Sequence, residues 1–199
     1  MSKRLILASS SPYRLKLIKP LLPNIESYAP DIDESRLQGE SPQALVKRLA
    51  QAKAQAIIER IKPNNTIIIA SDQVGIFNDE IITKAHTKDR AFSQLQSFSG
   101  QCVKFITSLY LVDTESYHEF IDHVQFNVHF RDLSDQEILN YLAQEDVLNC
   151  AGSFKVEGLG ISLFERLEGD DFNSLIGLPL IMLNNALINH FDINPLNSF

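Results

Sequence analysis

Ser9, Arg14, Lys53, Lys84 and Lys155 supply a hydroxyl and several cations, and Glu34, Asp72 and Glu157 supply carboxylates. Cations and hydroxyls suit the oxygens of a polyphosphate. Carboxylates suit a hard divalent cation, magnesium above all, which bridges protein acids and substrate phosphates. A further carboxylate can orient or deprotonate water. The set therefore predicts hydrolysis of a phosphoanhydride. A kinase needs the same groups, but its loop signatures are missing. A protein that only binds nucleotides could use them too, with less need for Asp72.

The elements that position these residues follow from the apolar pattern. Leu5 to Ala8 is a short apolar run ended by three serines and Pro12, and Leu15, Ile18, Leu21 and Leu22 then recur at helical spacing. This reads as strand, loop and helix, the loop gathering hydroxyls, backbone N–H groups and Arg14 where phosphate oxygens could sit. A serine-rich turn capping a helix accounts for the same residues equally well. Asp31-Ile32-Asp33-Glu34 is an acidic loop, solvated or helping to hold a divalent cation. Ser41-Pro42 starts a helix whose stripe of Leu45, Val46, Leu49, Ala52, Ala56 and Ile57 includes Lys53. That lysine either snorkels to water or reaches into a pocket. Thr66 to Ala70 is a second apolar strand ending in Ser71-Asp72-Gln73. Ligands of open α/β sheets bind beyond such ends, which makes Asp72 the best-placed carboxylate, a structural loop cap being the alternative.

Residues 74–77 and 80–82 flank Asn78-Asp79 as a hairpin, followed by Lys84 and His86. Zinc spacing is missing around His86, His118, His123 and His129. A helix over 88–96, strands over 103–112 and 124–131, and a helix from the Ser134–Glu137 capping box to about 144 come next. Residues 149–160, NCAGSFKVEGLG, hold three glycines within nine positions but match neither a dinucleotide fingerprint nor a P-loop. Cys150 there reads as a small buried thiol rather than a nucleophile. Residues 161–167 read as a strand, Asp171 and Asn173 as caps, and Pro179 as the start of the last helix. Strands interspersed with helices predict an α/β fold, as one elongated domain or two joined lobes with a cleft between them.

The 199-residue chain is 44% hydrophobic, enough for a real core. Its 25 acidic and 18 basic residues give a formal charge of −7, which argues against a nucleic-acid or membrane surface. Two cysteines are too few for a disulfide scaffold. The opening MSKRLILASSS has too short an apolar run for a signal peptide or membrane span, which predicts a soluble intracellular protein.

LASSSPYR, DIDE, ESPQALVKRLAQAKA, SDQV, LQSFSG, NCAGSFKVEGLG and DDFNSLIGLPL, in this order, resemble the Maf family of nucleoside triphosphate pyrophosphatases. The resemblance covers residues 4–190 and implies a single domain over 1–199 with its core at about 4–190. The implied fold is a Maf/ITPase-like mixed α/β, with a strongly bent central sheet flanked by helices and two lobes about a deep cleft. The implied activity is cleavage of the α–β anhydride to a monophosphate and pyrophosphate, in the cytoplasm, with a divalent cation (Mg2+ or Mn2+), often as a homodimer, and with a nucleotide rather than nucleic acid or membrane as partner. Position by position, Asp72 matches the family's general base. Ser9 and Arg14 match its phosphate loop, and Glu34 and Lys53 its acid and lysine for metal and phosphates. Lys84 matches the lysine of a GKP motif, and Glu34 and Asp72 are the implied metal ligands.

The resemblance also implies a substrate. The branch acting on dTTP and UTP carries SDT and AGGYxIQG, whereas the branch acting on 7-methyl-GTP carries SDQ and AGSFKxEG. Gln73 and Glu157, with Lys155 in the same loop, place this chain with the second. A carboxylate can accept hydrogen bonds from a guanine edge and favours the cationic methylated base. Tyr13 stands where that branch has a stacking tryptophan and keeps a smaller π-face. Thr83-Lys84-Ala85 stands where the family has GKP, so the resemblance predicts a less preorganised lysine loop. The rival readings are a dTTP/UTP pyrophosphatase and a nucleotide-binding protein with weakened turnover.

Overall fold

The computed structural model describes residues 3–148 and 150–197. Asn149, which opens the glycine-rich motif, lies outside the described residues. The chain divides into two compact units. One comprises the described residues of Met1–Gln73, Thr107–Val124 and Gly177–Phe199, and the other comprises those of Val74–Ile106 and Gln125–Ile176.

The first unit opens with β1 (Arg4–Ala8), α1 (Pro12–Ile18), β2 (Glu26–Tyr28), α2 (Pro42–Ile61) and β3 (Thr66–Ala70). β1 runs parallel to β2, with Ala8 opposite Tyr28, and parallel to β3, with Ala8 opposite Ala70. Two further strands, β4 (Gln73–Phe77) and β5 (Glu80–Ile82), and α3 (Lys88–Phe98) lead into β6 (Cys102–Asp113). The last residues of β6 lie antiparallel to β3, Ile67 opposite Asp113 and Ala70 opposite Tyr110. The apolar runs are continuous because both faces are covered. Leu7, Ile67, Ile69, Leu109 and Leu111 pack with Ile18 of α1 and with Leu183 and Leu187 of the final helix, Leu180–Phe191. Ile6, Ala8, Ile68, Ala70 and Val112 pack with Ala50, Ala54 and Ile57 of α2. Ser41 caps α2 by accepting the Ala44 N–H, with Pro42 in the first turn.

In the second unit β4 and β5 form the expected hairpin, with Phe77 opposite Glu80 and positive φ at both Asn78 and Asp79. β7 (Glu119–Phe130) pairs antiparallel with β8 (Phe164–Glu168). α4 (Asp135–Gln144) starts with a complete capping box between Ser134 and Glu137. The core is aromatic: Phe154 meets Phe105, Phe130 and Phe164 edge-on. Residues 161–163 are not strand. Leu159–Leu163 is a 3-10 helix, and only Phe164–Glu168 joins the sheet. There the Ser162 hydroxyl donates to the Leu159 carbonyl at 2.8 Å, a local closure that competes with ladder pairing. The short α5 (Phe172–Ile176) follows, its start secured by Asp171, whose carboxylate accepts the Asn173 N–H. We number the final helix α6 (Leu180–Phe191).

Among the described residues, strand pairing runs β2-β1-β3-β6-β4-β5, with β7 joined to β6 and to β8. This corrects the strongly bent central sheet. The path is open and mixed, ends in three-residue strands at β2 and β5, and does not curl round to pair its ends. That bend was implied by resemblance alone. Among the described residues, no helix is long and apolar enough to cross a membrane.

Candidate active site

Lys53 is buried in the inner stripe of α2 and does not snorkel to water. Its ammonium lies 2.5 Å from Asp72 Oδ1 and 2.7 Å from Glu34 Oε1. Asp72 is itself buried, just beyond the end of β3, whereas the Glu34 side chain is exposed. Burial pushes the Asp72 carboxyl above the ordinary aspartate range, and the nearby Lys53 and Arg14 charges pull the other way. The loop bearing Glu34 is tied to α2 through Arg48, which bonds both Glu40 carboxylate oxygens and the Ser35 carbonyl.

Ser108 on β6 braces the carboxylate from behind. It is fully buried. Its hydroxyl accepts the Asp72 N–H at 3.2 Å and donates to the Val46 carbonyl of α2 at 2.7 Å, while its own N–H donates to the Asp72 carbonyl. Thus one side chain joins the strand end carrying Asp72 to the helix carrying Lys53. Ser108→Ala leaves a buried donor and acceptor without their partner and is expected to cost about 1–3 kcal/mol of stability, read by urea unfolding. The neighbouring Thr107 accepts the Gln73 amide N–H at 3.0 Å and so orients Gln73.

The N-terminal loop caps a helix, as one of its two readings expects. Ser9 is buried and accepts the Ser11 N–H at 3.1 Å, and Ser11 caps α1 by accepting the Arg14 N–H. Tyr13 is exposed. Arg14 is half-buried and bridges two backbone carbonyls, Gly177 at 2.7 Å from Nε and Ser71 at 2.9 Å from Nη1. The Ser71 hydroxyl donates to the same Gly177 oxygen. Desolvation draws the guanidinium below its ordinary pKa, against the opposing Asp72 and Glu34 carboxylates. Arg14 thereby locks the approach to Asp72 as well as bringing positive charge to it.

Lys84, Lys155 and Glu157 belong to the second unit. Lys84 is exposed and forms an antiparallel bridge with Ala151, and the His86 N–H donates to the Leu148 carbonyl at 2.9 Å. Ala85 between them is buried in the core. Backbone pairing to Ala151 and Leu148 thus fastens the Thr83-Lys84-Ala85 segment. Within that loop Phe154 and Val156 are buried, Lys155 is half-buried and Glu157 is exposed. Cys150 is half-buried, and desolvation raises its thiol pKa, which opposes a nucleophilic role.

Among the described residues, no group of three or more His, Cys, Asp or Glu side chains is placed to hold a metal ion. Two carboxylates converging on one ammonium still fit magnesium, which is commonly bound through one or two acids plus substrate phosphates. The donor set thus suits a site completed by substrate. Sequence reasoning missed Ser108, Thr107, Arg48 and the partners of Arg14, none of which carries a motif.

The chain is an α/β protein with a buried lysine–aspartate pair at a strand end, and comparison with known sequences places it in a family. The chain belongs to the Maf-like protein family, which it matches over residues 4–190. It is 48% identical over 184 residues to the 7-methyl-GTP pyrophosphatase of Pseudomonas aeruginosa, covering 92% of this chain and 95% of that one. To the 7-methyl-GTP pyrophosphatase of Idiomarina loihiensis it is 47% identical over 197 residues, 99% of both. Among solved structures, the Staphylococcus aureus Ham1 protein aligns with a TM-score of 0.46 at 16% identity, over 65% of this chain and 73% of that one.

Proposed function

We propose that this chain is a nucleoside triphosphate pyrophosphatase that hydrolyses 7-methyl-GTP to 7-methyl-GMP and diphosphate in the cytoplasm. The observation that carries the chemistry is the Lys53 ammonium held against both Asp72 and Glu34. The near-full-length identity to 7-methyl-GTP pyrophosphatases supports the substrate. Water attacks the α-phosphorus, its bond to the α–β bridging oxygen breaks, and pyrophosphate leaves carrying that oxygen. Lys53 occupies Oδ1 of Asp72, so the water's proton passes to Oδ2. Arg14 and Lys53 offset the charge that builds on the phosphates. Glu34, together with phosphate oxygens of the substrate, would hold a divalent cation, magnesium or manganese, which when bound supplies charge neutralisation of the phosphates and leaves Asp72 to act as the base. Ser9 lies in the phosphate loop. Gln73, Glu157 and Tyr13 select the base, the carboxylate facing the guanine edge, with Lys155 alongside in the same loop. Lys84 binds phosphate, and Lys84→Ala is expected to lower kcat/KM about 10–100-fold, the worth of one charge-assisted contact.

The test is purified protein with magnesium against a panel of nucleoside triphosphates, with pyrophosphate and orthophosphate read separately. Pyrophosphate released chiefly from 7-methyl-GTP is expected. Preference for dTTP or UTP would keep the role of Asp72 and remove those of Gln73 and Glu157. Orthophosphate as the main product would reject the α–β cut.

A further inference from the structure

The Lys155–Gly160 turn carries Glu157, and a role for this turn in substrate choice rests on the assignment of Glu157 to the guanine edge. The turn is fastened to α4 at two points. The Lys155 N–H donates to the Tyr141 hydroxyl at 3.1 Å, and the Leu159 N–H donates to Glu145 Oε1 at 2.9 Å. Tyr141 and Glu145 are four residues apart, one turn of helix, and Glu145 is the residue at which α4 ends. Inside the turn the Lys155 carbonyl accepts both the Gly158 and Gly160 N–H groups. Glu145 Oε2 also lies 3.9 Å from Lys155 Nζ. These contacts explain the spacing of the glycines. A Cβ at Gly158 would sit 2.5 Å from Glu145 Oε1, and one at Gly160 would overlap the Lys155 carbonyl. Gly160 admits no side chain because the backbone closes on itself there, whereas a side chain at Gly158 would displace the Glu145 carboxylate from the turn.

We propose that Glu145, supported by Tyr141, is a specificity-positioning residue. It pins the turn on the C-terminal side of Glu157, Tyr141 pins it on the N-terminal side, and the carboxylate between them meets the purine in one orientation. Neither side chain touches the reacting atoms. An unpinned turn must be ordered when substrate binds, and that entropy is charged to binding rather than to bond cleavage. Glu145→Ala is therefore expected to raise KM for 7-methyl-GTP, and to lower its preference over GTP, by about tenfold, with kcat moving much less. Glu145→Gln keeps an oxygen that accepts the Leu159 N–H and is expected to restore both. In a Glu157→Ala background, adding Glu145→Ala should leave the remaining preference unchanged, because Glu145 acts through Glu157.

Hydrogen exchange gives a reading independent of turnover. The Leu159 amide should exchange faster in E145A than in wild type, and E145Q should be protected like wild type. Wild-type KM and preference in E145A would overturn the proposal, as would full additivity with Glu157→Ala or an unaltered Leu159 amide. A wild-type protein with no preference for 7-methyl-GTP would overturn the assignment of Glu157 itself. Exchange at Leu159 would then still decide whether Glu145 fastens the turn, so the two failures are distinguishable.

Discussion

Asp72→Asn is expected to lower kcat for pyrophosphate release by about 10^2–10^4-fold, the usual contribution of a positioned base, while the protein stays folded. Asparagine keeps the shape and volume of the side chain. Its backbone keeps both bonds to Ser108, and its amide oxygen can still accept from Lys53. What it cannot do is take a proton from water. The substitution also removes a desolvated charge, which favours folding, and Lys53 retains Glu34 at 2.7 Å. The loss should therefore fall on kcat, with KM changing less and the thermal midpoint holding within a few degrees. Steady-state kinetics on 7-methyl-GTP together with a circular-dichroism melt separate these quantities. Turnover within threefold of wild type would mean that another group takes the proton.

The carboxylate at the centre of that prediction was legible because local pattern fixes it. A run of apolar residues ending abruptly in Ser71-Asp72 is a strand end, and helical spacing alone places Lys53 on the buried side of α2. The same local logic produced the capping box at Ser134, the hairpin at Asn78-Asp79 and the cap at Asp171. What the sequence concealed is contact between distant residues. Arg14 reaches a backbone carbonyl 163 positions away at Gly177, and no side-chain motif marks a carbonyl acceptor. Ser108 and Glu145 likewise act on main-chain N–H groups, so neither has a partner residue type to search for. The sheet's path is concealed for another reason. Pairing order depends on which edges meet, and hydrophobic alternation, which reports only faces, is silent about edges. The 3-10 helix at Leu159–Leu163 escaped because the apolar–polar–apolar alternation of Ile161-Ser162-Leu163 is too short to distinguish a strand from a tight helical turn.

The largest stability effect is expected at Lys53. Replacing it with methionine keeps an unbranched stem in the α2 stripe but leaves the buried Asp72 carboxylate without its closest cation. Breaking a buried pair in this way costs about 3–5 kcal/mol at neutral pH. Glu34 contributes little to that loss because it is exposed and returns to water. The cost should depend on pH in a definite direction. Burial already holds the folded Asp72 above its ordinary value, and Lys53 and Arg14 restrain the rise. Without Lys53 the folded carboxyl moves higher still, whereas in the unfolded chain it stays near about 3.9. Between those values the native variant carries a proton that the unfolded chain lacks, so its stability increases as pH falls through the folded pKa. The deficit of Lys53→Met against wild type should thus be widest near pH 8 and narrower near pH 5. Urea unfolding at both pH values, in buffer with EDTA so that the carboxylate titrates without a bound cation, measures it directly. A deficit that stays constant across that range would assign the loss to packing in the α2 stripe. A deficit that shrinks with acid would assign it to the charge on Asp72, and would mean that Lys53 keeps that carboxylate ionised and able to accept a proton from water.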